Sequence, residues 1–115
     1  MTVALSASTV NPRINILPLS GRLAVETEGH IQAQLMEALQ QSPNGLVLDL
    51  EAVNFVSSAG LRILIVVYKN AAAVGTKLAM IRPQPEIYKL FKLASLDLTF
   101  NVFENEADAV KAISP

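Results

Sequence analysis

The sequence predicts an α/β fold, a small mixed sheet of four to five strands with about four helices packed on it. Three observations predict it. Strand-like runs alternate with helical periodicity through the latter two-thirds of the chain, with Gly, Pro and Asn punctuating the joins. The run from Gly45 to Leu50 is apolar on both faces except at Asp49, the pattern of a central parallel strand covered on two sides. Finally, 115 residues with 51% hydrophobic content suit one core, so residues 1–115 are expected to form a single domain.

The elements follow in order. Thr2 to Thr9 alternates apolar and polar residues through Val3, Leu5 and Ala7, and Ile14, Ile16 and Leu19 continue the period of two, which predicts a hairpin turning near Asn11-Pro12. Ser20-Gly21-Arg22-Leu23 breaks that pattern. A helix is expected from about Glu26 to Gln41, with Ile31, Leu35, Met36 and Leu39 on one face, ended by Pro43-Asn44-Gly45. After the central strand, Ser58 to Val74 is helical, with Leu61, Leu64, Ile65 and Tyr68 on one stripe and Ile63, Val66 and Val67 beside it. Gly75 stops that helix, Lys77 to Ile81 reads as a strand, and Pro83 and Pro85 open a helix carrying Ile87, Leu90, Phe91 and Leu93. Leu98 to Phe103 is expected as the last strand and Glu104 to Ile113 as the last helix, with right-handed crossovers between parallel strands.

Charge and composition exclude several function classes. The net charge is −1 and the nine basic residues are scattered, so the clustered positive surface that a phosphate backbone requires is missing and nucleic acid is not an expected partner. The absence of cysteine removes disulfides, thiolate nucleophiles and thiolate metal sites. The start of the chain lacks a cationic segment followed by an apolar one, and no uncharged apolar run reaches spanning length. A soluble cytoplasmic protein without direct membrane insertion is expected.

The helix beginning at Ser58 carries the chemistry of interest. It places Ser57 and Ser58 where backbone N–H groups lack intrahelical partners and the helix dipole favours negative charge, so a serine there can cap the helix, carry a phosphate, or do both. Hydrolysis is not expected. The one histidine, His30, sits in the first helix and reads as a surface residue, and Val56 stands where a nucleophile elbow needs glycine two places before Ser58. No histidine pair or clustered carboxylate set suggests a metal, and no glycine-rich loop suggests a phosphate cradle, so neither catalysis nor a cofactor is expected.

Asp49-Leu50 followed by Asn54-Phe55-Val56-Ser57-Ser58-Ala59-Gly60-Leu61-Arg62 resembles the signature of the STAS domain, the fold of bacterial anti-sigma factor antagonists. Weaker similarities extend over nearly the whole chain: Ser20-Gly21-Arg22-Leu23, Gly75 to Leu78, and Pro85 to Leu93 followed by Leu96 to Leu98. The resemblance implies the STAS fold and a partner-switching module that does no chemistry itself. It would bind an anti-sigma factor with serine kinase activity, with a PP2C-like phosphatase as a further partner. It also implies Ser58 as phosphoacceptor, with Ser57 the alternative, and Gly21, Arg22, Leu23, Ser57, Ala59, Gly60, Leu61 and Arg62 as the partner-binding set. Two positions depart from the family pattern: Ser57 stands where antagonists often have aspartate, and Ala24 where they commonly have an acidic residue. These departures keep a second reading in view, a STAS subunit or scaffold of a transport ATPase or stress-signalling assembly that is never phosphorylated.

Overall fold

The structure, a computed structural model, describes residues 5–24 and 28–114. Among these residues the order is β1 (Ser6–Ala7), β2 (Asn15–Leu23), α1 (Glu28–Gln40), β3 (Leu46–Val56), α2 (Ser58–Val74), β4 (Leu78–Ile81), α3 (Pro85–Leu93), β5 (Val102–Phe103) and α4 (Glu106–Ile113). The strands form one sheet in the order β1-β2-β3-β4-β5, with β1 antiparallel to β2 and every other neighbouring pair parallel. The mixed α/β architecture expected from the sequence is therefore present. The expected helix start at Glu26 and the strand residues Thr2 to Ala4 lie outside the described residues.

The period of the sequence places two cores on the two sheet faces. On one face, Leu46, Leu48 and Leu50 of β3 and Leu78 and Met80 of β4 meet Ile31, Leu35 and Leu39 of α1, Ile63, Leu64 and Val67 of α2, and Ile87 and Phe91 of α3. On the other, Ile14, Ile16, Val47, Ala79 and Ile81 receive Ala109, Val110 and Ile113 of α4. This two-sided cover is why Leu46 to Leu48 and all four residues of β4 are buried, as expected of central parallel strands.

Four boundaries differ from expectation. Ser20-Gly21-Arg22-Leu23 does not end its strand; Gly21 takes φ +80°, and β2 continues with register irregularities on either side of Ser20-Gly21. A left-handed glycine bends the strand instead of breaking it. Strand β3 also runs past Leu50 to Val56, because β2 remains beside it to its end. By contrast, the last strand shrinks to Val102–Phe103: residues 97–101 are turns, Asn101 is left-handed at φ +52°, and Leu98 is 86% exposed. The final helix begins two residues later than expected, where the Asn105 side chain accepts the Asp108 N–H at 2.8 Å.

Asp49, the polar interruption in the central strand, has a structural partner. Its carboxylate accepts a hydrogen bond from Arg82 at 2.6 Å, and Glu51 lies 3.8 Å from the same guanidinium. The hydrogen bond to Asp49, assisted by the charges of Asp49 and Glu51, outweighs desolvation and raises the Arg82 pKa above its ordinary value. Arg82 itself is left-handed at φ +54°, and Gln84 donates to the Glu51 carbonyl at 2.7 Å, tying the β4–α3 turn to β3.

Part of the larger core is aromatic. Phe91 and Phe100 are fully buried and meet edge to face with centroids 5.2 Å apart, and Tyr68 of α2 lies 6.3 Å from Phe100. Truncation of Phe100 to alanine is expected to lower unfolding free energy by about 3–5 kcal/mol, measured by urea denaturation.

Candidate functional site at the amino end of α2

The site is built where β3 hands over to α2. Ser57 is the N-cap, with extended backbone at φ −84° and ψ 174°, and its hydroxyl oxygen accepts the Gly60 N–H at 3.1 Å. The same hydroxyl donates to the Leu23 carbonyl at 3.3 Å, and the Ser57 N–H donates to that carbonyl at 2.9 Å. The Ser57 side chain is thus occupied as donor and as acceptor. Its job is to cap α2 and bind it to the carboxyl end of β2.

Gly60 makes that docking possible. A Cβ at this position would stand 2.0 Å from the Leu23 carbonyl oxygen and 2.6 Å from the carbonyl carbon, which no side chain tolerates. The requirement is close approach of a helix to backbone, with ordinary helical dihedrals.

Ser58 is placed differently from its neighbour. It is the first residue of α2, it is exposed, and its hydroxyl makes no hydrogen bond among the described residues. No acidic residue stands in the first turn of α2, and none occurs anywhere from Ala52 to Pro85. The free N–H groups and the dipole of the helix therefore face an uncommitted hydroxyl without a competing carboxylate on the same helix.

The other expected site residues divide into a surface and its support. Gly21, Arg22, Leu61 and Arg62 are exposed or half-buried, whereas Leu23, Ala59 and Gly60 are buried. Burial keeps the side chains of Leu23 and Ala59, and the bare Cα of Gly60, away from solvent. Ala24 is also buried, at 2% exposure. Within α2 the inward set is Ala59, Gly60, Ile63, Leu64, Val67 and Ala71, so Ile63 and Val67 are ordinary core, and Leu61 and Ile65, grouped with the core stripe from periodicity, are half-buried.

Phe55 is the residue that the sequence reading passed over. It is 40% exposed on β3 and pairs in register with Arg22 on β2, whose guanidinium sits 4.2 Å above the ring centroid. Both lie on the sheet face opposite to Leu23 and Val56, which point into the core. The signal that could have found this pair is a large aromatic one residue before a buried strand end.

His30 is exposed on α1 with its ring nitrogen 3.1 Å from the Gln34 amide nitrogen, and among the described residues no group of three or more potential ligands could hold a metal ion. Among the same residues, no helix is long and apolar enough to cross a membrane.

The strand–serine–helix junction, the β1-to-β5 sheet order and the helix α4 on the far face now meet a match across the chain: the STAS domain family covers residues 7–109. The chain belongs to the STAS domain family. Among curated STAS relatives, an anti-sigma F factor antagonist of Paenibacillus polymyxa is 28% identical over 96 residues, spanning 83% of this chain and 82% of that protein. A crystal structure of an anti-sigma factor antagonist from Mycobacterium paratuberculosis superposes with a TM-score of 0.83 at 25% identity, covering 97% of this chain and 92% of that one. The phosphorylated form of the Bacillus cell fate determinant SpoIIAA shares the fold at a TM-score of 0.69 and 19% identity, covering 97% of this chain and 99% of that one.

The two serines of this STAS domain should separate in a stability measurement. Ser57→Ala is expected to cost about 1 kcal/mol through loss of the cap, whereas Ser58→Ala should fall within about 0.5 kcal/mol of the parent. Gly60→Ala should cost about 3 kcal/mol or more, because backbone must move. Equal effects of the two serine substitutions in thermal or urea unfolding would contradict this division of roles.

Proposed function

We propose that this STAS domain is an anti-sigma factor antagonist that switches partners through phosphorylation of Ser58. The observation that carries the reading is the exposed hydroxyl of Ser58, without a hydrogen bond among the described residues, beside a neighbour whose hydroxyl is fully engaged. Ser57 is disfavoured as acceptor: esterifying its oxygen would remove the proton it donates to Leu23 and crowd the Gly60 N–H it accepts. The names of the relatives support the partner class, an anti-sigma factor. That the same partner is a serine kinase, and that a PP2C-like phosphatase resets the state in the cytoplasm, belong to this proposal.

The docking surface is Gly21, Arg22, Phe55, Ser57, Ser58, Leu61 and Arg62. Half-buried Leu61 supplies apolar area, and Arg22 and Arg62 offer cations to acidic groups opposite. The protein acts by occupancy and makes or breaks no bond itself; the kinase supplies the chemistry. Phosphorylation adds about −1.5 to −2 charges and three acceptor oxygens at Ser58. Against the helix dipole that charge is favourable by roughly 0.3–1 kcal/mol, so the domain keeps its fold. A partner packed over Leu61 must instead desolvate the phosphate, and each 1.4 kcal/mol lost weakens binding about tenfold.

The test is incubation with the cognate anti-sigma kinase and ATP, followed by site mapping and titration of the partner. The expected result is modification at Ser58, no modification of Ser58→Ala, and binding of the phosphorylated protein weakened at least about tenfold. Phosphate mapped elsewhere, or undiminished binding of the modified form, overturns the proposal.

A further inference from the structure

We propose that Arg62 is the built-in counter-ion of phosphorylated Ser58: its guanidinium closes on the phosphate one helical turn away, so that the event which adds a dianion also withdraws a cation from the docking surface. This rests on the reading that Ser58 is the phosphoacceptor.

Residues 58 and 62 of α2 stand at i and i+4, the spacing that brings two side chains together on one face of a helix. Long helical side chains lean toward the amino end, onto the residue one turn before, which aims Arg62 back at Ser58. Both residues are exposed, and Arg62 forms no ion pair among the described residues. Its helical neighbours at three and four residues are Ser58, Ala59, Ile65 and Val66, and α2 contains no aspartate or glutamate. Ser58 is thus the one position along this helix where a negative charge can be created within reach of Arg62. A planar guanidinium can meet two phosphate oxygens at once, a geometry that lysine does not reproduce. Arg22 differs, being stacked on Phe55 on the far side of the strand pair.

The pairing makes the switch two-sided. In the unmodified protein Arg62 is available to a carboxylate of the partner; in the phosphorylated protein it is held in cis. The partner then loses an attractive contact as well as meeting a repulsive or desolvated one.

Phosphoserine is placed at position 58 by translational incorporation into the full chain, and its second ionisation is followed by phosphorus NMR at low ionic strength. The parent is compared with Arg62→Gln, Arg62→Lys and Arg22→Gln, each checked for native circular dichroism. The helix terminus acts on the phosphate alike in all of them, so differences report the side chains. Arg62→Gln is expected to raise the second phosphate pKa by about half a unit, Arg62→Lys to raise it less, and Arg22→Gln to leave it unmoved. Superimposable titrations of the parent and Arg62→Gln, or an equal shift in Arg22→Gln, overturn the inference. Failure of the underlying reading shows separately, as Ser58-phosphorylated protein that binds its anti-sigma factor undiminished whatever the titrations give.

Discussion

The carbonyl of Leu23 is the point on which the site depends. It closes the end of β2, accepts the Ser57 N–H at 2.9 Å and the Ser57 hydroxyl at 3.3 Å, and lies against the bare Cα of Gly60. One acceptor therefore sets where α2 starts, how close it comes to the sheet, and which serine turns outward. Any residue with a Cβ at position 60 would lift the helix away from this oxygen, and the lift would carry Ser58, Leu61 and Arg62 with it. The small-residue run Ser57-Ser58-Ala59-Gly60 is first of all a docking device for a helix on a strand end, and the exposed hydroxyl is a consequence of that docking.

The sheet explains why this corner is left at the surface. Pairing of β4 with β3 covers Leu46 to Asp49, whereas β2 accompanies β3 all the way to Val56. The last turns of the β2–β3 pair project past the rest of the sheet, with α4 covering only the residues nearer their start. On the uncovered face the exposed Phe55 ring is roofed by Arg22, which limits contact of the aromatic with water while leaving the pair at the surface. The salt bridge from Arg82 to Asp49 marks the boundary where the core ends and the projecting pair begins.

Much of this was legible in the sequence, for identifiable reasons. Helix α2 was expected from Ser58 to Val74 and spans those residues, because a strong 3.6-residue period is bounded by a serine cap and by Gly75, which takes the left-handed conformation at φ +78°. The central strand was recognisable from its apolar run. Its length was not, because Glu51, Ala52 and Asn54 are exposed where the cover of helices and β4 thins, and solvent-facing residues erase the signal of continuous burial. Ser20 to Leu23 looked like a strand end because glycine usually marks one; here the bend it permits lets Leu23 return to the core. The last strand was overestimated because apolar Leu98 fits a strand pattern, whereas the left-handed residues Ser95 and Asn101 turn the chain twice before β5. Periodicity put Leu61 on the core stripe while the motif put it in the partner-binding set, and Phe55 was given no place of its own, because only the neighbouring elements decide whether an apolar residue is covered. The same limit applied to Leu23 and Ala59, since a motif identifies which residues travel together but not which of them face solvent.

The magnitudes decide how such a site can switch. A domain of this kind is stable by roughly 5–15 kcal/mol, so a phosphate favoured or disfavoured by about 1 kcal/mol at a helix terminus leaves the folded population essentially whole. The same 1 kcal/mol in an interface changes occupancy about fivefold, and desolvation of a dianion costs several times more. Gating through refolding would require the modification to reach the Leu23 junction, and that junction is sealed by a second serine whose hydroxyl is already engaged on both sides. Adjacent serines thus separate two demands that one residue would bring into conflict. A capping hydroxyl must keep its hydrogen bonds for the helix to start where it does, whereas a modifiable hydroxyl must give up its proton without the fold noticing. With Ser57 as the cap, the amino end of α2 carries no acidic side chain, and the only charges intrinsic to α2 are cationic, at Arg62 and Lys69. A phosphate placed on Ser58, as proposed, would therefore meet attraction within its own domain, and the penalty for its arrival would fall on whatever surface had been packed against it.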